Sequence, residues 1–316
     1  MESWMWPQDF SLFQYLRFKA WFGFFRLLTV ILDPFKMQTE ARLIPHEVRR
    51  EQVQIPSRDP GRSILGHMYY PPSYSTSSPA PVVINWHGSA FTIPAHGHDA
   101  LFCARLARDA GVVVLDADYR KAPDHPFPAA PHDAEDALRW VAAQGGLDSQ
   151  RIIVAGFSAG GNLALSMASA VRKKLSPLVH IPLVLSMYPM TDISFPSTDR
   201  TVPKPIKPLL PFFLDIICNC YCPNDSDKRN PLASPGLADA ADFPALTAIM
   251  TAEGDTLRPE AELLLRKLEK NGRPVFSYMM KDAAHGFDKS AKKGTVQWAQ
   301  REEMIELSVK LVKEAI

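Results

Sequence analysis

The stretch IIVAGFSAGGNLA, residues 152–164, decides how the rest of the sequence is interpreted. Its first four residues are aliphatic, which is typical of a strand buried on both faces of a sheet. Gly156 and Gly160 lie two positions either side of Ser158 and allow a tight turn that exposes the serine hydroxyl at the end of that strand. The residues from Asn162 onward favour a helix. The stretch therefore predicts a strand, a nucleophilic serine and a helix in immediate succession.

Segments of strand and helix character alternate on both sides of this stretch. Such alternation predicts the α/β class, in which helices cover both faces of a mostly parallel sheet. The strands are expected at residues 48–55, 63–70, 82–86, 112–116, 152–155, 183–187, 245–251 and 275–280. The helices are expected at residues 99–110, 133–143, 162–175, 260–270 and 297–313. The alternation breaks at about 191–235, where four prolines fall within nine residues, so we expect a cap insertion there in a domain of residues 48–316.

The overall composition excludes several classes of protein. The 316 residues carry 35 Lys and Arg against 34 Asp and Glu, and this balance argues against a nucleic-acid partner. Four cysteines are too few for a disulfide scaffold, and Cys218, Cys220 and Cys222 lack the second ligand pair of a zinc site. The sequence has no run of about 18 uncharged apolar residues, which a membrane-spanning helix needs. A soluble, cytoplasmic protein is therefore expected.

The first 32 residues differ in composition from the rest of the chain. Ten of the chain's 17 Phe, 8 Tyr and 6 Trp residues lie within the first 25 positions, and apolar side chains recur at spacings of three and four. This period predicts a helix, which Asp33 and Pro34 are expected to end. Arg17, Lys19 and Arg26 interrupt the apolar stretch, which argues against a secretory signal peptide.

Two roles for this N-terminal helix stay open. The favoured one is a lid over a pocket, with the aromatic side chains facing inward. The other is an interfacial helix, in which Trp and Phe lie at the headgroup boundary of a membrane while Arg and Lys reach toward water. Residues 1–47 are accordingly assigned to an N-terminal cap, with peripheral membrane contact as an additional role.

Small residues also follow the predicted strand 82–86, in the segment HGSAF at 87–91. Stabilising the negative oxygen of an acyl-transfer reaction requires backbone N–H donors close to it, and small residues permit that approach. The predicted oxyanion-hole donors are the N–H groups of Gly88, Ser89, Ala90 and Ala159. His96 and His98 lie on the loop that follows and are expected to be solvated histidines without a catalytic role.

A serine nucleophile needs a base, and the base needs a carboxylate that orients it. His285 follows the predicted strand 275–280, and Asp255 follows the strand before it. The order Ser158, Asp255, His285 differs from the orders of the chymotrypsin and subtilisin classes. Asp282 is the rival acid, but it lies only three residues from His285, so Asp255 is preferred.

Together these motifs resemble the hormone-sensitive-lipase-like branch of the α/β-hydrolase family. The similarity runs from about residue 80 to residue 290. It rests on HGSAF (87–91), DYRKAPDHPFPAA (118–130), GFSAGGNLA (156–164), YPMTD (188–192), NPLASP (230–235), TAEGDTLRPE (251–260) and AHGF (284–287). The resemblance implies an α/β-hydrolase fold with a helical cap and a serine carboxylic-ester hydrolase that needs no metal or cofactor. Position by position, Ser158, Asp255 and His285 match the family's catalytic triad.

Three positions, in two of these motifs, depart from the family pattern. Ser89 and Ala90 stand where the family has glycines, and Phe157 stands where it has an acidic residue. The added side chains are expected to narrow the acyl site and restrict the backbone there. The expected substrate is a small to medium apolar ester. A transacylase or cyclase using the same serine, a ligand-binding receptor on the same scaffold, and a homodimer all stay open.

Overall fold

Eight strands form one sheet in the computed structural model, which describes residues 7–316 and the side chains of all of these except 30, 32–37 and 290. In chain order the strands are β1 (Arg49–Pro56), β2 (Ser63–Tyr70), β3 (Ala80–Trp86), β4 (Val113–Ala117), β5 (Leu147–Phe157), β6 (Leu183–Met187), β7 (Leu246–Ala252) and β8 (Val275–Met280). Their spatial order is β1-β2-β4-β3-β5-β6-β7-β8. The pairs β1–β2 and β2–β4 are antiparallel, and every other neighbouring pair is parallel. This topology confirms the predicted α/β fold.

Helices cover both faces of this sheet. They are α1 (Leu12–Ala41), α2 (Ala100–Ala110), α3 (Ala129–Ala142), α4 (Ala159–Ser166), α5 (Arg172–Leu175), α6 (Pro211–Tyr221), α7 (Asp225–Lys228), α8 (Arg258–Lys270) and α9 (Val296–Ala315). The central strands are apolar on both sides, so that in β3 Val82 and Ile84 join one core and Val83 joins the other. The first core packs against α3, α4 and α8, and the second packs against α2 and α9.

The helix bounds differ from the sequence predictions at two informative places. The predicted helix 162–175 is divided by a π-helical turn at Met167–Val171. The prediction that Asp33 and Pro34 end the N-terminal helix is wrong, because α1 continues to Ala41. Close to that end, Glu40 forms an ion pair of 3.0 Å with Arg301 of α9. Such a tertiary contact overrides local propensity and leaves no trace in the sequence periodicity.

The N-terminal helix packs against the helix of the proline-rich insertion. Phe10, Phe18 and Phe22 are buried in a cluster with Ile217 and Cys220 of α6. The predicted cap segment 1–47 starts with residues 1–6, which lie outside the described residues. Among the described residues, no helix combines the length and the apolar character needed to cross a membrane.

One carboxylate ties this helix to the rest of the chain. Asp124 accepts hydrogen bonds of 2.8 Å from the Tyr15 hydroxyl, the Lys19 ammonium and the Arg26 guanidinium. Burial opposes ionisation of Asp124, but these three donors outweigh it and lower the pKa of the carboxyl to about 2. Arg26 also donates to the carbonyl oxygen of Thr92, which lies just beyond the HGSAF segment.

Candidate active site

Ser158 lies at a strained turn between β5 and α4. Its backbone has φ 50° and ψ −114°, a conformation that residues other than glycine rarely adopt. The flanking glycines make the turn possible: a Cβ at Gly160 would lie 1.9 Å from the carbonyl oxygen of Trp86, and one at Gly156 would lie 2.2 Å from the carbonyl oxygen of Gly160. Both positions therefore require glycine, and the turn places Ser158 on the wall of a cavity.

The segments that follow β7 and β8 bring two further side chains to Ser158. Its Oγ lies 2.9 Å from Nε2 of His285, and Nδ1 of His285 lies 2.8 Å from Oδ2 of Asp255. Asp255 is 1% exposed, and its Oδ1 accepts a hydrogen bond from the N–H of Leu257. The rival acid Asp282 is exposed at the surface. The structure thus brings Ser158, His285 and Asp255 together in one hydrogen-bonded chain, the arrangement that a nucleophile, its base and an orienting carboxylate require.

The proton affinity of His285 depends on its carboxylate neighbour. Burial favours the neutral imidazole and by itself lowers the pKa of His285. The negative charge of Asp255 and its hydrogen bond to the ring outweigh burial, so the pKa of His285 is raised above the ordinary 6.5. Asp288 raises this pKa further, whereas Lys289 lowers it. The imidazole is therefore well suited to accept the serine proton.

The candidate oxyanion donors line the same cavity as Ser158 and His285. They are Gly88, Ser89, Ala90 and Ala159. The N–H of Ala159 belongs to the first turn of α4 and has no acceptor within that helix. A Cβ at Gly88 would lie 3.2 Å from the carbonyl oxygen of Phe157, so this position favours glycine. Of the two departures from glycine, Ser89 bonds its hydroxyl to that of Tyr119 at 2.7 Å, and Ala90 adopts a left-handed φ of 50°.

Residues of the DYRKAP segment hold the HGSAF segment in place. The ring of His87 is fully buried, stacks on Tyr119 at 4.8 Å and places Nε2 3.1 Å from the Asp118 carboxylate. The Tyr119 hydroxyl donates to the carbonyl oxygen of His87 at 2.6 Å, and Lys121 binds Asp118 at 2.8 Å. Burial is the main reason that the pKa of His87 is lowered to about 4, which keeps the ring neutral at physiological pH. Sequence reasoning identified this motif but assigned no role to its side chains.

A second group of side chains supports His285. The ring of Tyr188 meets that of His285 edge-on at 4.9 Å, and its hydroxyl donates to Asp288 at 2.5 Å. Asp288 also binds the ammonium of Lys289 at 2.7 Å. That ammonium lies 3.7 Å from the centre of the Phe157 ring, which occupies the position of the family's acidic residue. The motifs YPMTD and AHGF indicated that this region belongs to the site. The contacts between residues of the two motifs could not be predicted from either motif alone.

A family model described as alpha/beta hydrolase fold matches residues 83–289. The chain belongs to the alpha/beta hydrolase family. This match confirms the resemblance predicted from the sequence motifs. Esterase LipI of Mycobacterium tuberculosis is 35% identical to this hydrolase over 249 residues, which cover 74% of this chain and 74% of that protein.

Solved structures extend the similarity beyond the matched segment. The esterase of Pyrobaculum calidifontis superposes with a TM-score of 0.76 and 28% identity, covering 90% of this hydrolase and 92% of that chain.

One relative by sequence is named for a different function. The gibberellin receptor GID1B of Arabidopsis thaliana is 30% identical over 231 residues, covering 67% of this hydrolase and 62% of the receptor. Relatives of this hydrolase therefore include proteins named as esterases and a protein named as a receptor, so the site itself has to discriminate between these functions.

The cavity beside Ser158 is mostly apolar and has a volume of about 230 Å³. Its apolar walls include Met190, Leu209, Phe213, Leu214, Ile217 and Leu257. Three of these side chains belong to α6 in the insertion. No described residue of α1 lines the cavity; this helix instead packs against α6 and Ala90. In this hydrolase α1 therefore supports the cavity wall from behind.

Proposed function

We propose that this hydrolase is a serine carboxylesterase that cleaves small to medium apolar esters through an acyl-enzyme. The observation that carries the proposal is the continuous hydrogen-bonded chain from Ser158 through His285 to Asp255 beside an apolar cavity. The relatives named esterase LipI and carboxylesterase NlhH, both of Mycobacterium tuberculosis, support the reaction class. The protein itself supplies the nucleophile, the base and the oxyanion donors that such a reaction needs.

The proposed reaction starts when Ser158 Oγ attacks the ester carbonyl carbon and Nε2 of His285 accepts the hydroxyl proton. The resulting oxyanion is stabilised by the backbone N–H groups of Gly88, Ser89, Ala90 and Ala159. The C–O bond to the alcohol then breaks, and His285 returns the proton to the departing alkoxide oxygen. Water attacks the acyl-serine with His285 again as the base, which releases the acid and restores Ser158. Throughout, Asp255 fixes the ring orientation and stabilises the imidazolium.

The lining of the cavity supports an apolar, uncharged substrate. Its volume of about 230 Å³ is below the roughly 300–1,000 Å³ of sites for drug-sized ligands, which favours a short acyl chain. The cavity lining includes the positively charged Lys289, whose ammonium is already paired with Asp99 and Asp288. An anionic substrate would therefore compete with two buried carboxylates for that ammonium.

The site also bears on the alternative functions. A receptor that only binds its ligand has no need for a base 2.9 Å from a serine hydroxyl, so the contact between His285 and Ser158 favours catalysis. Acyl transfer and cyclisation share the first half of the proposed reaction and differ only in what attacks the acyl-serine. Adding alcohols of increasing size to the hydrolysis assay and measuring the ratio of transfer to hydrolysis distinguishes these reactions.

The central experiment is covalent labelling with a fluorophosphonate, followed by hydrolysis of p-nitrophenyl esters of increasing acyl length. We expect one label on Ser158 and a preference for short acyl chains. Ser158→Ala should remove the label and lower the hydrolysis rate by on the order of 10³-fold or more. Ser78→Ala, at an exposed serine on the loop before β3, is the matched control and should change neither. An unlabelled wild type with no hydrolysis would favour the receptor and overturn the proposal.

We also propose that residues 1–47 and the insertion at about 191–235 form the cap. We propose further that the outer face of α1 lies on a membrane surface. This face consists of large apolar side chains, each at least 38% exposed: Leu12, Phe13, Leu16, Trp21, Phe24, Leu27, Leu28 and Ile31. No acidic residue lies between Asp9 and Asp33, whereas Arg17 is exposed. Aromatic side chains combined with basic ones are typical of helices that bind anionic bilayer surfaces.

The patch continues from α1 onto α6. The rings of Phe25 and Phe213 lie 6.0 Å apart and join the two helices. Leu210 and Phe212 are 50% and 54% exposed beside this junction, and Lys207 is exposed just before them. Because Phe213 also lines the cavity, a membrane-bound cap would hold the cavity wall close to apolar esters dissolved in the bilayer.

Flotation of the full chain with vesicles tests the membrane proposal. We expect binding to vesicles of phosphatidylcholine with phosphatidylserine, and weaker binding to phosphatidylcholine alone. The double variant Phe13→Ser, Phe24→Ser should lose flotation, whereas Leu263→Ser, at a 48% exposed leucine of α8, should keep it. Light scattering tests a homodimer as the other occupant of this face. A dimer that the double variant disrupts, without any flotation of the wild type, would overturn the membrane proposal.

A further inference from the structure

A group of ligand-type side chains lies next to the HGSAF segment and takes no part in the proposed reaction. We infer that His67, His96 and Asp116 form a binding site for a divalent transition-metal ion such as zinc. One ligand atom from each lies within 4.8 Å of the others. Among the side chains that the structure describes, no other set of three from His, Cys, Asp or Glu comes this close together.

The fold itself brings two of these residues together. His67 on β2 is the antiparallel partner of Asp116 on β4. Directly opposed residues of an antiparallel pair project to the same face of the sheet, with Cβ atoms about 4.5–5.5 Å apart. The carboxylate and the imidazole are therefore placed side by side by the register of the sheet.

His96 completes the group from the loop that follows HGSAF. Its ring stacks on that of His67, with centroids 4.7 Å apart and an interplanar angle of 16°. Its Nε2 lies 3.1 Å from the carbonyl oxygen of Asp116 and 3.6 Å from the carboxylate oxygen Oδ2. The prediction that His96 is a solvated loop histidine is therefore wrong, since its side chain is only 9% exposed.

Two atoms of this group are buried without a hydrogen bond. They are Nδ1 of His67 and Oδ2 of Asp116. Asp116 is fully buried, and buried polar atoms in proteins are almost always paired. With the ring proton of His67 on Nε2, its Nδ1 and the carboxylate oxygen of Asp116 are both acceptors, so they cannot satisfy each other. A metal cation between them satisfies both.

The chemistry of the three side chains suits zinc. Neutral imidazole and carboxylate are both ordinary zinc ligands. Two imidazoles and one carboxylate form a typical three-ligand zinc site with a fourth position open. Zinc–ligand bonds of about 2.0–2.2 Å place ligand atoms about 3.3 Å apart, so the group has to close by about 1.5 Å from its present spacing.

Asn85 provides the outer support that such sites usually have. Its Nδ2 donates to Oδ1 of Asp116 at 3.1 Å, which leaves Oδ2 for the ion, and it also donates to Asp99 at 3.1 Å. A bound ion would tie the loop carrying His96 to β2 and β4, and this loop begins at the predicted oxyanion segment. Zinc should therefore stabilise the folded chain.

Zinc titration of the full chain, stripped with a chelator, tests the inference by calorimetry. We expect one Zn²⁺ per chain, a rise in the unfolding temperature, and the visible spectrum of a four-coordinate ion when Co²⁺ is used instead. Asn85→Ala should weaken binding by about 10–100-fold, the usual cost of losing an outer partner of a metal ligand. His67→Gln and His96→Gln should each weaken it more than that. His46→Gln is the control for adventitious binding, because the side chain of His46 is 100% exposed.

The outcomes separate this inference from the proposed esterase function. Ser158→Ala should bind zinc as the wild type does, because the two sites share no ligand. Circular dichroism of each variant shows whether it folds, and His96→Gln, which alters a loop, stays informative if His67→Gln or Asn85→Ala does not. The absence of saturable zinc binding would indicate that His96 and Asp116 form only a direct contact with each other and would overturn the inference. Binding that survives both histidine substitutions would overturn it as well.

Discussion

Asp124 is the point at which α1 is tied to the rest of the hydrolase, and its replacement tests that attachment quantitatively. Asp124→Asn preserves the shape of the side chain but removes the charge that binds Tyr15, Lys19 and Arg26. Its pKa is lowered from 3.8 to about 2 in the folded chain. Because one pKa unit corresponds to about 1.4 kcal/mol, this shift corresponds to about 2.5 kcal/mol, which solvent screening of the partly exposed carboxylate reduces to about 2 kcal/mol. We expect the variant to lose this amount at pH 7.

The pH dependence has a defined sign. The pKa of Asp124 is lower in the folded chain than its ordinary value, so its stabilisation is fully present above pH 3.8 and disappears as the pH falls toward 2. The difference in unfolding free energy between wild type and Asp124→Asn should therefore shrink over this interval. It should be constant at higher pH.

Urea unfolding followed by tryptophan fluorescence and by circular dichroism measures both effects. Trp21 lies on α1, so an early fluorescence transition would show that this helix detaches before the sheet unfolds. Asp239→Asn, at an exposed aspartate, is the matched control and should change the unfolding free energy by less than about 0.5 kcal/mol. If Asp124→Asn behaves like this control at pH 7, the attachment of α1 through Asp124 is refuted.

Four further predictions concern the site and its cap. Asp255→Asn should lower kcat by on the order of 10⁴-fold because the imidazole is no longer held in the right tautomer, while Asp282→Asn should have little effect. If a p-nitrophenyl butyrate assay shows the larger loss for Asp282→Asn, Asp255 is not the orienting acid. Because neutral His285 is the base and its pKa is raised above 6.5, kcat/KM should rise with pH through an apparent pKa above that value, and a profile that is flat from pH 5 to 9 would contradict the assignment. Gly160→Ala should destabilise the fold by more than about 3 kcal/mol, as measured by urea unfolding, since its Cβ meets a backbone oxygen at 1.9 Å. Deleting residues 1–32 should lower activity on medium-chain esters more than on acetate and reduce solubility, because the wall helix α6 loses its support; unchanged kinetics would argue against a lid.

The elements around Ser158 could be predicted because their signals are local. Gly156 and Gly160 stand at fixed positions either side of the serine in the sequence, and the aliphatic run before them is sufficient to indicate a buried strand, although the contact that requires Gly160 is with the distant Trp86. The candidate residues of the site could be named for the same reason, since each follows a recognisable strand.

Features that depend on contacts between distant residues could not be predicted. Helix α1 passes Asp33 and Pro34 and is anchored near its end by Arg301, which lies 261 positions after Glu40 in the sequence. His96 is on a short loop with no apolar pattern, and only its contacts with His67 and Asp116, on two separate strands, show that it is buried. The support of His285 by Tyr188 likewise depends on the packing of separate segments.

The left-handed backbone positions around the cavity have a consequence for engineering. Ala90, Phe91, Ser158 and Tyr188 all have φ values between 38° and 57°, and each such residue costs about 1–3 kcal/mol of stability. A laboratory selection for heat tolerance alone would therefore favour Ala90→Gly, where only a methyl group is lost, whereas glycine in place of the buried Phe91 or Tyr188 would leave a cavity. The same replacement would free the backbone that carries the predicted oxyanion donors, so this gain in heat tolerance coincides with a risk to turnover. Heat-resistant variants of this hydrolase are better sought on α9, no residue of which lines the cavity, under a screen that scores turnover at every round.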